Sequence, residues 1–180
     1  MTSYRRNFVP GGSYFFTVNL ADRSLSLLTA HVDLLRAAFR QTRRRHPFTI
    51  DAIVVLPEHL HTVWTMPNGD ADFAMRWRQI KSAFSRNLDN VEPVSPSRAA
   101  KGERGIWQRR YWEHTIRDED DYARHIDYVY INPVKHGLVN RVCDWVPSSF
   151  HRHVALGIYP PDWAGDLSQY GDGAKFGERS

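Results

Sequence analysis

The first apolar run, Ser13 to Leu20, is rich in aromatic and β-branched residues and follows the turn signal Pro10-Gly11-Gly12, which predicts a strand. From His31 to Arg45 the period lengthens. Val32, Leu35, Phe39 and Thr42 fall opposite Arg36, Arg40, Arg43 and Arg44, the pattern of an amphipathic helix ending near His46-Pro47. A solvated face accounts for those arginines better than phosphate contact. Phe48–Leu56 and His59–Met66 read as two antiparallel strands joined by a very tight turn at Pro57-Glu58. Phe73, Trp77, Ile80 and Phe84 then recur at helical spacing behind an acidic start at Asp70 or Asp72, with Arg76, Arg78, Lys81 and Arg86 on the other faces. Residues 89–105 lose all periodicity and read as a long flexible loop. Ile106–Arg117 interleaves aromatics with arginines and reads as a further strand. Asp118-Glu119-Asp120-Asp121 supplies the acidic first turn of a helix that Pro133 is expected to stop after Asn132.

The order β, α, β, β, α, β, α matches a ferredoxin-like split βαβ plan in its first six elements. That is an α+β fold, an antiparallel sheet with two packed helices, to which the Asp118–Asn132 helix and an extended C-terminal tail are additions. One domain spanning 1–180 is expected, with an N-terminal arm over 1–12, the flexible loop over 89–105 and the tail over 140–180. The tail carries a short helix after Ser148 or Ser149 and anchors at Tyr159 and Trp163.

Composition narrows the function classes. The chain has 24 basic and 20 acidic residues among 180, so the net field is weak and any basic surface must be local. Cys143 is the single cysteine, which excludes an intramolecular disulfide framework and a cysteine-rich zinc module and fits a reducing cytoplasm. No run approaches the ~18 apolar residues of a membrane span, and none resembles a signal peptide.

His59 and His61 carry the first candidate chemistry. Residues two apart on a strand share a face, so both imidazoles aim at one spot, as a divalent metal with two adjacent ligands requires. On the last predicted helix His125, Tyr128 and Asn132 lie within ~60° of one another, with Tyr128 and Asn132 one turn apart. Tyr130 points ~200° away from Tyr128 and is assigned to the core. His151-Arg152-His153 is a second H-x-H, but on a helix its imidazoles diverge. His114, His125 and His136 are read as satisfied structural histidines.

Together, Pro57-Glu58-His59-Leu60-His61 and Tyr128-Val129-Tyr130-Ile131-Asn132-Pro133-Val134-Lys135-His136-Gly137 resemble the REP-associated tyrosine transposases. These are a bacterial branch of the HUH single-strand transposases, related to those of the smallest insertion sequences. The likeness runs from Tyr4-Arg5-Arg6 and Pro10-Gly11-Gly12 through Trp107-Gln108-Arg109-Arg110 to Asp162-Trp163-Ala164-Gly165. It implies a ferredoxin-like nuclease that nicks and rejoins single-stranded DNA at or beside REP-type hairpins. His59 and His61 would hold Mg²⁺ or Mn²⁺, Tyr128 would be the nucleophile and Asn132 the third ligand. The wider relatives carry glutamine at the Asn132 position, and the shorter asparagine calls for ligation through water or a closer helix. The resemblance further implies a monomer, although the insertion-sequence relatives are dimers, and a bacterial cytoplasmic protein associated with the nucleoid when bound to DNA.

Candidate DNA contacts are Tyr4, Arg5, Arg6, Arg109, Arg110, Tyr111 and Trp112, which combine cations with stacking planes, and Lys135 near the site. Two other readings stand beside this one. A catalytically silent single-strand-binding module of the same fold would not need His59, His61, Tyr128 and Asn132 to converge. A metallohydrolase using water would keep its activity without Tyr128.

Overall fold

The computed structural model describes residues 6–89, 100, 104–170 and 176–178. Its sheet has four antiparallel strands: β1 (Ser13–Asn19), β2 (Thr49–Val55), β3 (His59–Thr65) and β4 (Trp112–Thr115), in the order β2-β3-β1-β4. The helices are α1 (Leu27–Ala30), α2 (Val32–Arg45), α3 (Phe73–Arg86), α4 (Glu119–Lys135) and α5 (Phe150–Ala155). The ferredoxin-like plan is therefore the observed one, with α1 as an added single turn. No described helix is long and apolar enough to cross a membrane.

The central strands β1 and β3 are buried on both sides, so alternation appears as a choice of core rather than as inside against outside. Tyr14, Phe16, Val18, Leu60 and Trp64 pack against α2 and α3, where the rings of Trp64 and Trp77 stack at 4.3 Å. Phe15 and Val63 face the opposite way, into a second core built on Ile126, Tyr128 and Val129 of α4 and closed by Phe150 and Tyr170. Asp72 caps α3 by accepting a hydrogen bond from Met75 N, and Asp118 caps α4 by accepting one from Asp121 N.

Three expectations change. Ile106–Arg117 is a strand only over Trp112–Thr115. Before it, Trp107 bridges singly to Leu20 and Gln108 N donates to Asn19 O, but the five steps from Trp107 to Trp112 oppose only three from Leu20 to Thr17, so the ladder is interrupted there. Arg76, expected on a polar face, is buried and donates to Asp72 O, His46 O, Pro47 O and the Asp70 carboxylate, tying α3 to the α2–β2 connection. Third, α4 does not stop at Pro133. It continues to Lys135 and ends at Gly137, whose φ is +67°. Gly137 N donates to Val134 O and Leu138 N to Pro133 O, the double closure that a left-handed glycine permits.

Candidate active site

The β2–β3 connection is short enough that Leu56 N bonds directly to His59 O, so β3 begins at His59 itself. Strand alternation then turns His59 and His61 toward α4, and both are buried. Across from them α4 presents Tyr128 and Asn132, each fully buried. The rings of His59 and His61 lie 4.8 Å apart and that of Tyr128 5.3 Å from His61. The four side chains singled out in the sequence thus converge on one pocket between the sheet and α4.

Neighbouring groups fix the tautomers. Thr17, the β1 residue opposite His61, donates its hydroxyl proton to Phe176 O and so accepts one from His61 Nδ1 at 2.9 Å. Nδ1 therefore carries a proton and Nε2 is the atom turned toward α4, while burial holds the His61 pKa down near 3. Glu58 Oε1 lies 3.0 Å from His59 Nδ1, and this bond lowers the Glu58 pKa to about 2. His59 Nε2 is then the free nitrogen, and it is buried without a hydrogen-bond partner, as is Asn132 Oδ1. A buried imidazole nitrogen left without a partner beside His61 is what a divalent cation would satisfy.

The C-terminal segment reaches this pocket, which sequence periodicity gave no means of placing. The Phe176 ring lies face to face with Tyr128, 3.7 Å between centroids and 10° between planes. Glu178 Oε1 stands 2.9 Å from His61 Nε2, 3.9 Å from His59 Nε2 and 3.3 Å from His136 Nε2, and it accepts from Asn132 Nδ2 at 2.8 Å. Burial alone would raise the Glu178 pKa, but the neighbouring His136, His61 and Asn132 hold it well below the usual carboxylate range. His59, His61 and Glu178 form a group able to hold a metal ion. Cis ligands of an octahedral ion with ~2.1 Å bonds stand ~3.0 Å apart, close to the His61–Glu178 spacing. Turning the Asn132 amide over would bring its unpartnered oxygen to the same point. Burial, and then the neighbouring Glu178 carboxylate, push the Tyr128 phenol far above its ordinary pKa.

The remaining candidates are placed less uniformly. Lys135 donates to the Tyr128 phenol oxygen at 3.1 Å and also pairs with Glu178. His136, expected to be structural, instead packs its ring 5.2 Å from that of His59. Arg109 and Arg110 are exposed. Arg6 lies over the Tyr111 ring, donates to its hydroxyl and pairs with Glu113, so Arg6 and Tyr111 brace each other. Trp112 is half-buried under Gly177, where even a Cβ would meet the indole. Tyr4 and Arg5 lie outside the described residues. Tyr130 is core, its hydroxyl bonded with Ser149 and His153, while His151 donates to Trp145 O, so the second H-x-H diverges as expected.

A second cluster, His114, Asp121 and His125, also brings ligand atoms together. Its imidazoles stack at 4.6 Å with only 15° between planes, so their in-plane lone pairs do not converge on one ion. Asp121 accepts from His114 Nε2, Arg117 N and Arg117 Nε, and His125 Nδ1 donates to Asp121 O. The cluster ties the start of α4 to β4 rather than forming a metal cage.

No family model matches the chain. An Escherichia coli REP-associated tyrosine transposase is 50% identical over 97% of the chain and 98% of that protein. A Haemophilus influenzae protein assigned to the same family is 47% identical over 96% of the chain and 99% of its own length. Among solved structures, a REP-associated tyrosine transposase bound to a REP hairpin superposes with a TM-score of 0.81 at 51% identity, covering 93% of each chain.

Proposed function

Because the chain belongs to the REP-associated tyrosine transposase family, we propose that it cuts and rejoins single-stranded DNA beside REP-type hairpins through a covalent Tyr128–DNA intermediate. The observation that carries this reading is the convergence of His59 and His61 from β3 with Tyr128 and Asn132 from α4. A silent binding module has no use for a buried nucleophile beside two tautomer-locked imidazoles.

His59 Nε2, His61 Nε2 and the Asn132 amide oxygen would hold Mg²⁺ or Mn²⁺, with Glu178 Oε1 within reach of the same point. When bound, the ion supplies Lewis-acid polarisation of the scissile phosphate oxygens. Glu58 and Thr17 keep the two imidazoles in the tautomers that face the pocket. Tyr128 Oη attacks phosphorus, the P–O3′ bond breaks, and the 5′ phosphate remains on the tyrosine as an ester while a 3′ hydroxyl departs. The ester conserves the bond energy, so a second 3′ hydroxyl can reverse the step and join a different strand without a nucleotide cofactor. Arg109 and Arg110, exposed just ahead of β4, are the contacts assigned to phosphate. Arg6 and Tyr111 act with them as a braced edge.

The test incubates the protein with labelled single-stranded DNA carrying a REP-type hairpin and its flanks, in Mn²⁺, Mg²⁺ or EDTA, followed by denaturing electrophoresis. The expected result is a slow-migrating adduct in metal that is absent in EDTA and absent from Tyr128→Phe. Cleavage that survives Tyr128→Phe would assign the nucleophile to water. Hairpin binding with no cleavage in either metal would make the chain a binding module.

A further inference from the structure

We infer that Lys135 is a catalytic residue of this site, acting on the attacking oxygen of Tyr128 rather than gripping the DNA backbone away from the chemistry. The inference rests on the reading of Tyr128 as nucleophile. Seven residues make almost two full helical turns, so Lys135 lies ~20° from Tyr128 around α4 and directly beyond it along the axis. That placement exists only because α4 continues through Pro133. The ammonium donates to the phenol oxygen at 3.1 Å and stands 5.1 Å from the centre of the same ring. Its side chain is 17% exposed and ion-paired with Glu178. A cation that reached out for backbone phosphate would be solvated; this one is folded down onto the phenol.

An ammonium has three donors and no lone pair, so the phenol oxygen is the acceptor in this bond. Two consequences follow. The bond fixes where the oxygen sits, which matters because an attacking atom must be held within ~3–3.5 Å of phosphorus. It also sets a positive charge beside the oxygen as negative charge develops there, in a pocket screened from water by β3 and α4. In the step itself the Oη–P bond forms as the P–O3′ bond breaks. The phenol gives up one proton and the departing 3′ oxygen takes up one, so no net proton is exchanged and Lys135 keeps all three of its own.

The experiment separates chemistry from binding. Single-turnover adduct formation at saturating hairpin DNA in Mn²⁺ is measured for wild type, Lys135→Gln and Lys135→Arg. DNA affinity is measured over a range of salt by fluorescence anisotropy with the same substitutions in a Tyr128→Phe background, where no cleavage intervenes. Lys135→Gln is expected to slow adduct formation by about 100-fold, the scale of losing one preorganised donor. Its DNA affinity should stay within about threefold, with the salt slope unchanged. Lys135→Arg, which keeps donor and charge, should recover most of the rate. A Lys135→Gln rate within about threefold of wild type overturns the inference, as does a loss that appears in affinity with the salt slope falling by about one, the mark of a phosphate contact. A wild type that forms no adduct overturns the transposase reading itself, an outcome visible in the first lane.

Discussion

Asp121 offers a quantitative check on how the helix bearing Tyr128 is anchored. Its carboxylate is 2% exposed in the first turn of α4 and accepts from His114 Nε2 at 2.7 Å, Arg117 N at 3.1 Å and Arg117 Nε at 3.3 Å. Burial opposes ionisation, but these bonds overcome it and hold the pKa at about 2, against an ordinary value of 3.8. A depression of that size corresponds to about 2–3 kcal/mol. Because the folded-state pKa is the lower one, this stabilisation is present above pH ~4 and is lost as pH falls through ~2. Asp121→Asn removes the charge while keeping the shape. Urea denaturation at pH 7 should show a loss of about 2–3 kcal/mol, equivalent to a melting temperature lower by ~5–10 °C for a chain of this size. Between pH 4 and 2 the variant should lose less further stability than wild type. A variant within ~0.5 kcal/mol of wild type at pH 7, or one whose acid limb runs parallel to it, would refute the assignment of Asp121 as the anchor.

Two further perturbations address the metal centre and the fold beneath it. Glu58→Ala frees His59 Nδ1 from the carboxylate that orients it, and calorimetric titration with Mn²⁺ should show affinity reduced ~10–100-fold; binding within twofold of wild type would detach Glu58 from the site. Arg76→Met leaves His46 O and Pro47 O without their buried donor, and the expected cost is about 3 kcal/mol by urea denaturation, toward the lower end of the range for a broken buried pair because Asp70 remains partly solvated; a loss below ~1 kcal/mol would show that water replaces the guanidinium.

Legibility in the sequence followed the range of the forces involved. The histidine pair was readable because strand alternation is local and survives burial on both faces, and the proximity of Tyr128 and Asn132 because helical spacing is equally local. Element order then sufficed for the ferredoxin-like plan. Arg76 was misjudged for a physical reason: periodicity distinguishes apolar from polar positions, and a guanidinium paired with four oxygens is a polar group at home in a buried position. The Ile106–Arg117 segment has strand composition throughout, yet only Trp112–Thr115 pair as a strand along β1, because the stretch back to the Trp107–Leu20 bridge is two residues longer than the β1 stretch it faces and register is set by partner length, not by composition. Phe176 and Glu178 had no local signal at all. Their contacts lie 159 residues away at Thr17 and 117 at His61, and no periodicity spans such distances.

The end of α4 shows how two local signals compete and what hangs on the outcome. Proline lacks an N–H and disfavours helix for the residue before it, which argues for a stop at Asn132. Glycine four residues later offers the left-handed conformation that closes a helix with two hydrogen bonds. In the structure the glycine prevails: Pro133 forfeits one backbone bond near the end of the helix, whereas the left-handed Gly137 lets its own N–H reach Val134 O and that of Leu138 reach Pro133 O. Had α4 ended at Asn132, Tyr128 and Asn132 would still face β3, but Lys135 and His136 would leave with the connecting chain. Because the helix continues, Lys135 comes onto the line of Tyr128 and His136 against His59. The last turn of α4 thus converts a metal-binding pair with a nearby phenol into a pocket where that phenol has a cationic partner.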